Sequence, residues 1–220
     1  MLKRSFDVVI SLVFLVILSP LCVVIAALIK LDPDGPVLYR ATRIGFGGKE
    51  VTFFKFRTMV GDADRRGPGV TLLNDSRVTR VGRLLRKFKL DEIPQLVNVV
   101  RGEMSLVGPR PEDPRYLVEY PEKDRSRIFS VRPGLTNPAM IHFRHEEVML
   151  AEAGGDPEET YCRVHIPNRL RMDLEYIESQ SFWLDLSILA RAFISLFTPA
   201  GRSSSTRRGA ADGGRGGAPK

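Results

Sequence analysis

Cysteine is close to missing from this chain. The two present, Cys22 and Cys162, lie in an apolar run and a polar stretch, so no disulfide framework is suggested and a reducing compartment fits. Histidine is also scarce. His142 and His145, with Glu146 and Glu147, would share one face if helical, but no third His or Cys lies nearby, which argues against zinc or iron and for a surface segment. Large apolar residues are lacking beyond Gly201, where Gly, Ser, Ala and Arg dominate. Such a tail cannot bury enough surface to offset its ordering entropy and is expected to be disordered, with at most a weak attraction to anionic lipid. It carries a net +4 of the chain's +7, leaving +3 for the other 200 residues and weakening a nucleic-acid reading.

Charge is lacking from residues 8–29, a run of 22 rich in Val, Ile and Leu. About 20 such residues suffice to span a bilayer as a helix. The run is too long for the apolar core of a secretory signal, which is about 7–15 residues. A plain spanning helix and a re-entrant hairpin both fit hydropathy. Two features favour the hairpin. Pro20 removes a backbone donor at the midpoint and pushes Ser19 from helical angles, leaving arms of about 10 residues, each near 15 Å. Cations also flank both ends, with Lys3 and Arg4 before the run and Lys30, Arg40 and Arg43 after it, where a spanning segment usually has one cation-rich side. At 220 residues the chain has room for one domain beside such an element.

After the turn-rich segment 32–36, two β-rich runs at 37–44 and 50–59 flank Gly45-Phe46-Gly47-Gly48 and predict a hairpin. A strand rather than a helix follows these glycines, so turn residues fit better than a phosphate loop. Lys55 and Arg57 are two apart and share a strand face, either solvated or facing phosphate. Residues 61–74 read as a mobile loop. A basic amphipathic helix is predicted over 77–89, with Val81, Leu84, Leu85 and Phe88 as its apolar stripe; it lies over a core or against lipid headgroups. Asp91 and Glu92 come next, with Pro94 placed for a first helical turn. Asp is a preferred N-cap, and a carboxylate at a helix mouth near cations stays ionised, as a nucleophile or metal ligand must. Residues 95–100 continue that helix, which Arg101-Gly102 ends. Pro109-Arg110-Pro111 displays a guanidinium on stiff backbone, suited to bidentate phosphate binding, and Arg132-Pro133-Gly134 repeats the arrangement more weakly. Two C-terminal helices are predicted, one marked by Leu170, Leu174 and Ile177 and one over 183–197, where Phe182 and Trp183 suit either a membrane boundary or a core.

Four motifs occur in one order: Lys55-Phe56-Arg57-Thr58-Met59, Asp91-Glu92-Ile93-Pro94-Gln95-Leu96, Gly102 through Pro111, and Arg132-Pro133-Gly134. Together they resemble the bacterial sugar transferases that are monotopic polyprenyl-phosphate phosphoglycosyl transferases, over roughly residues 3–138. The resemblance implies an α+β fold: a re-entrant membrane helix hairpin broken at Ser19-Pro20 over 1–32, a cytosolic catalytic domain over 33–200 with a β-hairpin and amphipathic interfacial helices, and a basic tail over 201–220. It implies transfer of a phospho-sugar from a UDP-sugar to polyprenyl (undecaprenyl) phosphate at the cytoplasmic face of the inner membrane, initiating surface glycan assembly. Asp91 would be the nucleophile and Glu92 would help hold Mg²⁺; Lys55, Arg57, Arg110 and Arg132 would meet substrate. Thr136-Asn137-Pro138-Ala139 departs from the family pattern, which bears on the sugar pocket rather than the core reaction. Membrane lipid is an expected partner, nucleic acid is not, and a homo-oligomer is compatible. The competing reading is a membrane-anchored basic scaffold or nucleic-acid-binding protein without catalysis.

Overall fold

The computed structural model describes residues 2–31, 35–67, 69–143 and 146–197. The basic tail, His145, Pro68 and residues 32–34 of the expected turn lie outside them. The fold is mixed helix and strand, as expected. Helix α1 (Leu2–Lys30) is, among the described residues, the one helix long and apolar enough to cross a membrane. The helix continues through Ser19 and Pro20, where the sequence predicted a departure from helical angles. That proline cannot donate to the carbonyl four residues back, on Val16, and the Ser19 hydroxyl takes this acceptor instead at 2.8 Å. Asp7, Ser11, Leu15, Leu18, Cys22, Ile25 and Ile29 recur every three or four residues and form the inward stripe, buried at both ends and half-buried in the middle. The outward face, including Val9, Val16, Ile17 and Val23, is apolar and exposed.

Both ends of α1 are tied down by polar contacts. Lys3 Nζ donates to the Val107 carbonyl and pairs with Asp185, Arg4 donates to the Val100 carbonyl at 3.1 Å, and buried Asp7 accepts from the Ser105 hydroxyl at 2.7 Å. At the other end the Ile29 carbonyl accepts from Arg57 Nη2 at 3.0 Å. Of the cations that flank the uncharged run, Lys3 and Arg4 are therefore anchors.

Strands β1 (Leu38–Ile44) and β2 (Glu50–Phe56) form the expected antiparallel hairpin, in register from Leu38↔Phe56 to Ile44↔Glu50. Gly47 and Gly48 turn its tip at φ 71° and 72°, a region only glycine enters freely. The second strand ends earlier than its composition suggests, because Met59 leaves the hairpin to bridge Val78. In the segment expected to be a mobile loop, Ala63 and Val70 are tied to the buried Arg77, which donates to their carbonyls and pairs with Asp75 at 2.7 Å. Arg77 therefore stands outside the helix predicted to begin with it. Thr79 caps α2 (Arg80–Lys87) by accepting from the Gly82 amide at 2.9 Å, and Gly82 packs so close to Thr58 that an added Cβ would lie 2.0 Å from its carbonyl oxygen. On α2, Leu85 is buried while Leu84 and Phe88 are exposed.

Helix α3 (Gln95–Arg101) ends at Gly102, φ 88°, and leads into β3 (Ser105–Val107). A 3₁₀ turn over Pro114–Glu119 and α4 (Glu122–Ile128) precede β4 (Gly134–Thr136), which pairs parallel with β3. Short helices α5 (Pro138–His142), α6 (Glu146–Ala153) and α7 (Pro157–Thr160) follow. A π-helical turn over Tyr161–His165 joins α7 to α8 (Ile166–Ser179), and α9 (Phe182–Phe197) completes the described chain. The main core joins both ends of α1 to Phe53, Phe56, Leu96, Val99, Met104, Tyr176 and Ile188. A second cluster gathers Tyr116, Tyr120, Ile128, Tyr161, Ile166 and Leu170.

Within the apolar sequence of α3, Asn98 is fully buried and joins three elements. Its Oδ1 accepts from the Phe54 amide at 3.1 Å, and its Nδ2 donates to the Thr52 carbonyl at 2.8 Å and to Glu103 at 2.6 Å. Asn98→Leu should destabilise the protein by about 3 kcal/mol, since the β2 groups it serves would be left buried and unpaired. Denaturant unfolding in detergent measures this, and a loss under about 1 kcal/mol would mean that water replaces the side chain.

Candidate active site

The 3₁₀ turn Leu90–Glu92 places two acidic side chains next to each other inside the protein. Lys89 immediately before it adopts the left-handed region at φ 56°, an unusual state for a side chain that is not glycine, and this reverses the chain after α2. Asp91 is 8% exposed and its Oδ1 is buried without a hydrogen-bond partner. The cap anticipated from sequence is absent: α3 begins after Pro94 with no side-chain cap, so Asp91 is held by the turn. Its ionisation is therefore governed by burial and neighbouring charges rather than by a helix mouth. Burial and the neighbouring Glu92 charge push its pKa above the usual aspartate value, against Lys55, Lys89 and Arg86.

Glu92 behaves in the opposite way. Burial would raise it, yet Lys55, Lys89 and Arg110 hold it at about 2, with Lys55 Nζ donating to Oε1 at 2.8 Å. Adjacent carboxylates thus have divergent environments: one is clamped by a cation and the other keeps a bare oxygen. The other of the two cations expected on the strand face is placed elsewhere: Arg57, just past β2, is buried at the end of α1 on the Ile29 carbonyl. Arg86 rests on the Thr58 and Thr71 hydroxyls at 2.9 Å each.

The glycine-proline-arginine motifs meet through β3 and β4. The Gly108 amide donates to Thr136 and the Gly134 amide to the Pro109 carbonyl at 2.8 Å, and an added Cβ on Gly134 would lie 2.1 Å from the Gly108 nitrogen. That contact explains why both motifs contain glycine. Arg110, carried at the loop's apex, acts electrostatically on Glu92. Arg132 instead donates to the Gly102 carbonyl at 2.7 Å and stacks its guanidinium 5.5 Å over Phe46. Asn137, within the segment departing from the family pattern, is buried and caps α5 through the Met140 amide. His142 meets Phe143 edge-on, and among the described residues no group of three or more metal-ligating side chains occurs.

A further polar group was not apparent in the sequence. Buried Glu112 pairs with Arg169 and accepts from Tyr120 at 2.8 Å, while Arg169 also donates to Tyr161 at 2.8 Å. The only sequence signal is an arginine on the same α8 face as Leu170 and Asp173, which periodicity alone does not distinguish from a solvated residue.

Lys55→Met should lower stability at pH 7 by about 2 kcal/mol in chelator-treated buffer, because Glu92 would stay buried with its closest cation gone. The sign follows from the depressed carboxyl. The pair's contribution is present above the ordinary glutamate pKa of 4.5 and is lost as pH falls through about 2, so wild type and variant should converge in acid. Unfolding curves from pH 7 to 2.5 measure it; a pH-independent gap would assign the effect to packing.

The bacterial sugar transferase family model matches residues 1–199. The UDP-glucose:undecaprenyl-phosphate glucose-1-phosphate transferase of Caulobacter vibrioides is 40% identical over 202 residues, 89% of this chain and 70% of that protein. The undecaprenyl-phosphate glucose phosphotransferase of Komagataeibacter xylinus is 40% identical over 193 residues, 85% of this chain but 34% of that protein, so the chain spans about a third of its length. The exopolysaccharide production protein PSS of Rhizobium leguminosarum bv. phaseoli is 36% identical over 203 residues, 90% of this chain and 96% of that protein. The family model covers nearly every residue outside the basic tail: this chain belongs to the bacterial sugar transferases.

Proposed function

We propose that this protein transfers a phospho-sugar from a UDP-sugar to undecaprenyl phosphate at the cytoplasmic face of the inner membrane, as the initiating step of a surface glycan. The observation that carries the reading is the bare Oδ1 of Asp91, buried beside Glu92 and among Lys55, Lys89, Arg86 and Arg110. A basic scaffold would have no use for an unpartnered buried carboxylate, which costs about 1–3 kcal/mol or more in desolvation. The relatives named for undecaprenyl-phosphate sugar transfer support the donor and acceptor classes.

Asp91 attacks the sugar-bearing phosphorus of the donor. The Asp–phosphorus bond forms as the bond to the bridging oxygen breaks, and UMP departs with that electron pair. A phosphate oxygen of the lipid then attacks the same phosphorus, the Asp91 bond breaks, and the carboxylate is regenerated with polyprenyl-diphosphate sugar as product. The acceptor is already ionised, so general-base help would gain little, and one site serves both substrates in turn. The unsatisfied Asp91 oxygen and the hard carboxylate of Glu92 fit Mg²⁺, which commonly takes one or two protein carboxylates and completes its shell with substrate phosphates. Asp91 and Glu92 would hold it, and its charge would help neutralise the diphosphate. Arg110 serves the same purpose from the protein side.

The hairpin reading of α1 is supported by Ser19 occupying the carbonyl that Pro20 leaves free, and by polar anchors at both ends on the same core. The 1–32 segment would enter and leave by the cytoplasmic side, with 33–200 below it. Exposed Leu84, Phe88 and Trp183, the last 74% exposed, suit α2 and α9 to the interface.

Asp91→Asn should abolish transfer with stability equal to wild type or higher, because the neutral side chain removes burial of charge and the repulsion from Glu92. With UDP-sugar and Mg²⁺ but no lipid, wild type should release up to one equivalent of UMP and carry a phospho-sugar mass on Asp91. UMP released only with lipid, with intersecting initial-rate lines, would reassign Asp91 to metal binding.

Cysteines placed near Lys3 and Asp34 should both be inaccessible to an external reagent, and Pro20→Leu should expose one end by favouring a straight spanning helix. External labelling of either site in the otherwise wild-type chain would overturn the hairpin.

A further inference from the structure

Between Pro109 and Pro111 the loop has a single backbone N–H, that of Arg110, since proline has none. The loop's start is held by β4, through the Gly108 and Gly134 amides. Beyond that, the Arg110 amide donates to Oδ2 of Asp173 on α8 at 3.2 Å. Asp173 is 2% exposed, and its second oxygen, Oδ1, is buried without a hydrogen-bond partner. The neighbouring Arg169 does not pair with it, being engaged with Glu112 and Tyr161. A carboxyl so deeply buried with one hydrogen bond is expensive, and that bond goes to the sole amide by which the apex of the loop can be fixed. The Arg110 guanidinium lies within reach of the charges of Glu146, Tyr161 and Glu92, with Arg169 opposing.

We propose that Asp173 is a positioning residue for Arg110: by pinning the only N–H between the two prolines, it aims the guanidinium at the diphosphate of the donor over Asp91 and Glu92. This rests on the proposed transfer reaction. Two prolines stiffen the backbone, but they leave the apex free to swing as a unit about Gly108, and the Asp173 contact removes that freedom before substrate arrives. Burial raises the Asp173 carboxyl to about 7 against the charges of Arg169 and Arg110, so the neutral amide of Asp173→Asn is a close replacement that keeps an acceptor oxygen.

The test compares full-length wild type, Asp173→Asn, Asp173→Leu, Arg110→Ala and the Arg110→Ala/Asp173→Leu double variant. Asp173→Asn should stay within about threefold of wild type, while Asp173→Leu should raise KM for the UDP-sugar roughly 30-fold with kcat changed far less, as expected when an oriented hydrogen bond to substrate is lost. The double variant should be no worse than Arg110→Ala alone, because two residues acting through one interaction are not additive. Hydrogen exchange of segment 108–113, read by mass spectrometry, should show one extra fast amide in Asp173→Leu and none in Asp173→Asn. Multiplying effects in the double variant, failure of Asp173→Asn as severe as that of Asp173→Leu, or unchanged exchange in Asp173→Leu would each overturn the proposal. Absence of UMP release by wild type from any UDP-sugar would sink the transfer reaction instead, and the exchange result would still decide whether Asp173 holds the loop.

Discussion

Burying a carboxylate oxygen with nothing bonded to it is unfavourable, and Asp91 does this beside a second acid. The arrangement persists only because surrounding elements are placed to tolerate it. Lys55 on β2 compensates Glu92 directly, while Lys89, Arg86 and Arg110 contribute charge from the turn, α2 and the proline-flanked loop. The left-handed Lys89 directs the acid turn inward, and Asn98 fixes β2 against α3 so that Lys55 reaches Glu92. Much of the molecule's specific architecture thus serves one electrostatic problem: holding an acidic oxygen buried and unsatisfied beside a second carboxylate.

The apolar helix is integrated with that site rather than appended to it. Lys3, Arg4 and Asp7 at its start contact β3 and the residues flanking it, and β3 leads without interruption into Gly108-Pro109-Arg110. Arg57, two residues from Lys55, closes the other end. The close Gly108–Gly134 approach aligns the Arg110 loop with β4, so the glycines of two separate motifs are one packing contact.

The sequence was most informative where a local rule has one physical solution. The uncharged run, the Gly-rich hairpin tip and the Gly102 helix stop were all legible, because hydropathy and positive φ are properties of a few adjacent residues. Where side chains could reach several partners, local reading misplaced them. Arg77 looked like the first cation of an amphipathic helix and is instead buried, joining Ala63, Val70 and Asp75. Arg57 looked equivalent to Lys55 on a strand face, yet one holds α1 and the other holds Glu92.

The sequence by itself determined the family, the membrane-compatible helix and the identity of the acid pair, since each is written in contiguous residue types. Only the tertiary structure decided that Asp91 is unpartnered rather than a cap, that Asn98 joins β2 to α3, and that Asp173 meets the Arg110 amide across 63 positions. The reason is physical: a hydrogen bond or an ion pair is settled by distances of about 3 Å, and chain folding brings those distances about between residues whose separation in sequence carries no trace of them.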